Sequence, residues 1–165
     1  MKVLKTIAVL GAVLGAAMVA LAANEALAEK CNGHVISKPL KPILMREAPD
    51  GSKVQWFSSE GMFVVANPNN HPANLVNRVC GGGFKITPDG KSGSGKGSCS
   101  YADLDGDVFH LAWQSTFTEG TWKIVEGTGT GKFKNFSGHG IFRPMKRFEN
   151  FWGGSTWEGE CNLPK

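Results

Sequence analysis

Apolar and polar residues alternate most plainly over residues 107–117. Phe109, Leu111, Trp113, Ser115 and Phe117 fall on one side, with Val108, His110, Ala112, Gln114 and Thr116 on the other. A period of two describes a strand with one face turned to a core, and the first set predicts that face. Asp105-Gly106 just before it reads as a hairpin turn compatible with type I′. Downstream, residues 121–126 predict a strand with Trp122 and Ile124 on one side, followed by a Gly-rich loop over 127–135. A strand over 136–143, a basic linker over 144–148 and a last strand over 151–161 complete the chain.

Upstream the pattern is looser. Residues 33–44 contain Pro39 and Pro42 and read as an extended lead-in with one short strand. Residues 53–66 are rich in β-branched and aromatic side chains and predict one strand with a break near Gly61. Residues 73–86 and 95–102 predict a hairpin about Thr87-Pro88-Asp89-Gly90-Lys91, where Pro presets φ and Gly accepts the left-handed position. No apolar pattern of helical period is long enough for a helix. Many short strands joined by Gly/Asp turns imply a sandwich or a barrel. Glycines inside strands, at 95, 97, 138, 140, 153 and 154, favour the barrel, since tightly coiled strands need places where no side chain intrudes.

Residues 1–28 read as a signal peptide: Lys2 and Lys5 precede an apolar run over 7–23, and Ala26-Leu27-Ala28 offers a cleavage site before Glu29. Ala20-Leu21-Ala22 is a second possible site, and an uncleaved anchor is the competing account. The expected domain is then 29–165, one core's worth of chain, in a periplasmic or secreted protein with no membrane association after cleavage. All four cysteines lie beyond the cleavage site, which favours two disulfides. A two-residue loop on Asp89-Gly90 sets Cys80 opposite Cys99. A three-residue loop misses by one, a slip that a bulge in the triplet Gly81-Gly82-Gly83 can absorb. Cys31–Cys161 follows by elimination. A metal site is disfavoured because no CxxC or Cys/His cluster is present. The formal charge of +4 comes from scattered basic residues, unlike the one-sided footprint of nucleic-acid binding.

The segment GTWKIVEGTGTGKFKNFSGHGIF is similar to the strand–GTGKF–strand segment of the allene oxide cyclase and dirigent-protein barrel superfamily. Together with RVCGG and GKGSCSYADLDGDVF, it resembles small secreted bacterial proteins of the same barrel type. The resemblance covers residues 77–143. It implies a single antiparallel β-barrel, allene oxide cyclase-like or lipocalin-like, with an apolar cavity; in the enzymes that cavity holds an oxygenated lipid or a phenolic radical. The N-terminal strand motifs of those enzymes are absent here, and no catalytic residue carries over.

Few residues point to chemistry. Asp103, Asp105 and Asp107 in DLDGD resemble the opening of a calcium loop. The chain then enters a strand, and Gln114 occupies the twelfth loop position, so a hairpin turn is the better account. Gly127-Thr128-Gly129-Thr130-Gly131-Lys132 lacks the spacing and the following helix of a phosphate loop. His34, His71, His110 and His139 are far apart in sequence, and no nucleophile elbow occurs. No cofactor is indicated. The aromatics are more telling: Tyr101, Phe109, Trp113, Trp122 and Phe142 can line a cavity and bind an apolar or aromatic ligand. A filled core weighs somewhat more heavily for so small a barrel. Trp152 and Trp157 fall on opposite faces of the last strand, and an exposed one would suggest a protein partner. The leading expectation is a non-catalytic protein that binds a small hydrophobic ligand or a protein. The alternatives are a cyclase- or isomerase-like enzyme using Glu60, Glu126 or Glu158, and a structural or stress-related envelope protein without a ligand.

Overall fold

A computed structural model describes residues 28–40, 43–68, 71–148 and 152–163, without the side chains of 146–148 and 152. The expected signal peptide, Ala28 apart, and the side chain of Trp152 lie outside them. Among the described residues nine strands run in chain order: β1 Glu29–Pro39, β2 Leu44–Glu47, β3 Lys53–Val65, β4 Val76–Ile86, β5 Gly93–Ala102, β6 Val108–Thr116, β7 Gly120–Ile124, β8 Ser137–Phe148 and β9 Trp152–Asn162. Strands β3 to β9 form an antiparallel meander, and β1 pairs with both β9 and β3, closing an eight-stranded barrel. Closure leaves no free edge in the ring. β2 lies outside the ring. β1 takes β3 from Val65 to Ser59, and β2 continues along the same edge from Trp56 to Lys53.

Three local expectations are corrected. The lead-in is a full strand: Cys31 and Val35 point inward between exposed neighbours, and Pro39 ends the strand rather than preventing it. β3 runs unbroken through Gly61, because a Cβ there would run into the backbone carbonyl of Ile36 on β1. That glycine marks a close approach between strands. The basic linker is the second half of β8, which stays paired with β9 apart from an irregularity between Met145 and Phe148.

The two hairpin turns set the register. At the first, Thr87 N–H donates to Ser92 O at 2.9 Å and Gly90, at φ 70°, donates to Thr87 O at 2.9 Å. The connection has four residues rather than two, but it keeps Asp89-Gly90 at its centre. Cys80 therefore still faces Cys99, and the strands pair without a bulge. At the second, only Gly106 has a positive φ, 85°. Type I′ needs two such residues, so the loop is the three-residue form, Leu104 to Gly106, with Ala102 opposite Val108. Both predicted disulfides are present: Cys80–Cys99 across β4 and β5, and Cys31–Cys161 across the β1–β9 seam, where first and last strands meet.

Inside the barrel, rings lie on glycines. Trp113 is opposite Gly97, which is opposite Gly82, and a Cβ on either glycine would strike the indole. Trp122 relates in the same way to Gly140 and Gly159, where an added Cβ would come within 2.8 and 2.7 Å of its Cζ2. Phe142 covers Gly120, and Trp157 covers Gly33. Such pairs seat a large side chain flat against the sheet wall and protect the glycine backbone from water.

One end of the barrel is plugged. The Gly-rich loop forms a single 3-10 turn, Gly131–Phe133, that drives Phe133 and Phe136 into the core, where they pack on Phe109 at 4.9 and 5.0 Å between ring centres. Lys132 of the same turn places its ammonium 2.6 Å from Asp103 and 3.7 Å from Asp105, and its amide donates to Asp107 at 3.0 Å. The DLDGD turn and the GTGKF loop are one clamp, joined through Lys132. Among the described residues no group of three or more His, Cys, Asp or Glu is placed to hold a metal ion.

Three outcomes follow. Gly97→Val should cost about 1–3 kcal/mol in urea denaturation, because its side chain meets Trp113 and the carbonyl of Gly81. Replacing Cys31 and Cys161 together by Ser should cost about 2–5 kcal/mol by the same measurement. Burial opposes ionisation of Asp103, but Lys132 and the amides of Asp107 and Asp105 outweigh it and hold the carboxyl below its usual range. Its contribution is present above the unfolded carboxyl pKa of about 3.9 and lost as pH falls further. Asp103→Asn should therefore lower stability at pH 7 and flatten its decline in acid; an unchanged acid limb would contradict the clamp.

Candidate functional site: an aromatic cavity with a half-buried cation

The barrel is not filled. Between the plug and the opposite end lies a cavity of about 430 Å³, within the range that holds a small organic ligand. The larger weight given to a filled core is thus corrected. Glycines under the rings press the indoles against the wall instead of across the lumen, and space remains along the axis. Two groups of rings bound it. Toward the open end, Phe57, Phe84 and Phe117 gather about Trp113, with Phe57 5.7 Å and Phe84 6.0 Å from it. Toward the plug, Phe63 stacks on Trp157 at 4.4 Å and Tyr101 stacks on Phe109 at 4.5 Å. Trp122 meets Trp157 edge-on at 6.0 Å and donates its indole N–H to Ile141 O at 3.1 Å.

Tyr101, Phe109, Trp113, Trp122 and Phe142 all line this cavity. Phe57, Phe63, Phe84, Phe136 and Trp157 join them, and sequence reasoning did not place these on a cavity wall. On β3 both faces carry large apolar groups, with Trp56 and Met62 exposed on the outer one, so alternation gives no preference there. Trp157 is 5% exposed, and among the described residues the exposed indole is Trp56, at 47%. Phe117, placed on the inward face of β6 by alternation, stands just beyond the strand end at the mouth, 41% exposed.

The polar members of the lining matter more. Arg78 projects from β4 into the cavity, opposite Tyr101 on β5. Its Nε and Nη2 donate to Cys80 Sγ at 2.9 and 2.6 Å, and Nη2 lies 3.8 Å from Cys99 Sγ. No carboxylate among the described residues pairs with it, and no Asp or Glu lines the cavity. Burial pushes the guanidinium pKa down from its ordinary value, while Tyr101 acts weakly the other way. Burial also raises the Tyr101 phenol, with Arg78 opposing, so the phenol stays neutral at pH 7. His71, from the β3–β4 connection, accepts the Ala73 amide at Nδ1 over 3.2 Å, and its buried Nε2 has no partner. Burial lowers its pKa, with Glu29 opposing, which makes it a neutral ring carrying its proton on Nε2. The Trp157 N–H is likewise buried and unpaired.

Arg78 was within reach of the sequence. Once the bridge turns Cys80 inward, the period of two turns Val76, Arg78, Gly82 and Phe84 inward as well. The carboxylates considered for catalysis are elsewhere. Glu60 pairs with Lys38 at 2.9 Å, Glu126 with Lys123 at 3.1 Å and Glu158 with Arg143 at 2.9 Å, all on exposed side chains. His110 binds Ser100 Oγ at 2.9 Å on the outer face.

No protein-family model matches the chain, and no curated protein sequence does. Among solved structures it is similar to the pterocarpan synthase dirigent protein GePTS1, with 12% identity, 84% of this chain and 90% of that one covered, and a TM-score of 0.49. It is also similar to the pterocarpan synthase dirigent protein PsPTS1, with 13% identity, 83% and 97% covered, and a TM-score of 0.49.

Proposed function

We propose that the protein binds a small apolar or aromatic molecule inside its barrel. The observation that carries this reading is the aromatic cavity of about 430 Å³, open at one end. An unoccupied apolar cavity costs stability by leaving wall atoms without contacts. A chain that could fill it with larger side chains keeps Ser59 and Ser115 on the lining instead. The enzymatic reading needs a carboxylate at the substrate, and its three candidates face solvent. The structural reading without a ligand favours a packed interior. We place the protein outside the cytoplasm, in the periplasm or medium: two disulfides suit an oxidising compartment, and residues 1–28 carry the features of an export signal.

Titration with 2-naphthalenemethanol, followed by quenching of tryptophan emission, should give saturable binding at one site. Ser59→Phe, which adds a ring in the empty space, should weaken it at least about tenfold without lowering the unfolding midpoint. A linear, non-saturating response of the natural protein would count against the proposal.

A further inference from the structure

The geometry points to a more specific ligand class: an apolar molecule carrying one carboxylate, its acidic end held at the deep end of the cavity by Arg78. This rests on the cavity being a binding site and goes beyond it. The argument begins with cost. A guanidinium removed from water without a counter-charge is strongly unfavourable, and buried cations are ordinarily paired. Arg78 has only sulfur for a partner, and a disulfide sulfur is a weak acceptor. The sulfur contacts occupy the Nε–Nη2 edge of the planar group. The Nη1–Nη2 edge, whose two parallel N–H groups match a carboxylate, has no protein acceptor among the described residues.

The other polar side chains of the lining include no acidic group. His71 and Trp157 also line the cavity, each with a buried N–H that has no protein acceptor, and Tyr101 supplies a neutral hydroxyl. A run of ring contacts joins them, from His71 to Phe136 at 6.2 Å, Phe136 to Phe109 at 5.0 Å and Phe109 to Tyr101 at 4.5 Å, with Arg78 opposite Tyr101 in the ladder. Donors and one positive charge, without an acidic group, select an anion over a cation. A single guanidinium in an otherwise apolar chamber suits a monoanion with a hydrophobic body. The second cation on the lining, Lys38, stands with its exposed partner Glu60 and is neutralised there.

The test compares 2-naphthoate with 2-naphthalenemethanol at one pH and salt concentration, by tryptophan quenching and calorimetry. The carboxylate should bind about ten- to a hundredfold more tightly, the scale of a charge-assisted hydrogen bond. Arg78→Met should abolish that preference; Arg78→Lys should keep part of it. The unfolding midpoint of unliganded Arg78→Met should hold or rise, since a half-buried charge without a carboxylate partner is removed. Equal binding of the two probes to the natural protein would overturn the inference while leaving the cavity reading intact. Preference surviving in Arg78→Met would also overturn it, and binding of neither probe would overturn both readings.

Discussion

The contact between an inward ring and the glycine beside it governs this barrel. A closed sheet of eight strands has a lumen only as wide as its side chains permit. Indoles opposite ordinary residues would meet across the axis and fill it. Opposite Gly97 and Gly82, or Gly140 and Gly159, they lie back on the wall. The same glycines that let the sheet curl therefore decide whether it encloses anything. Aromatic area is still buried against backbone, so the interior keeps most of its hydrophobic stabilisation while space remains along the axis.

A hollow barrel has less core to hold it shut, and the chain adds restraints where they do not intrude on the lumen. Cys31–Cys161 ties the seam at which the first and last strands meet. The clamp of Lys132 on the DLDGD turn holds the plug over one end, and the plug rings pack beneath it. Stiffness is thus concentrated at the seam and the closed end. The opposite end carries Phe117 and Met145 half in solvent, the side from which a ligand can enter without disturbing the clamp.

The fold was largely legible in the sequence because its signals are local. Turn glycines fix register, register fixes which cysteines meet, and the strong alternation of β6 fixes a face. Where both faces of a strand carry large apolar groups, as on β3, the period of two is hidden and the inward rings could not be chosen. The cavity was not legible, since its volume depends on glycines and indoles brought together from neighbouring strands. Strands β4, β5 and β6 must all be in register before Gly82, Gly97 and Trp113 form one feature. Arg78 was hidden differently. Only the inward turn of Cys80, two residues on, assigns it to the lumen.

That arginine is the clearest departure from the rules the rest of the chain obeys. Elsewhere a low-exposure charge such as Asp103 is paired, with Lys132, the hairpin turns carry glycine where φ is positive, and rings meet glycines. A chain this consistent can tolerate one uncompensated group, and such departures concentrate where a site has work beyond folding. A leucine or methionine at 78 would close the same barrel with less desolvation. The guanidinium instead spends one edge on the Cys80 sulfur, and its other edge has no protein acceptor among the described residues. A partner too weak to neutralise it keeps the charge available, so the disulfide beneath Arg78 serves the site as well as the sheet.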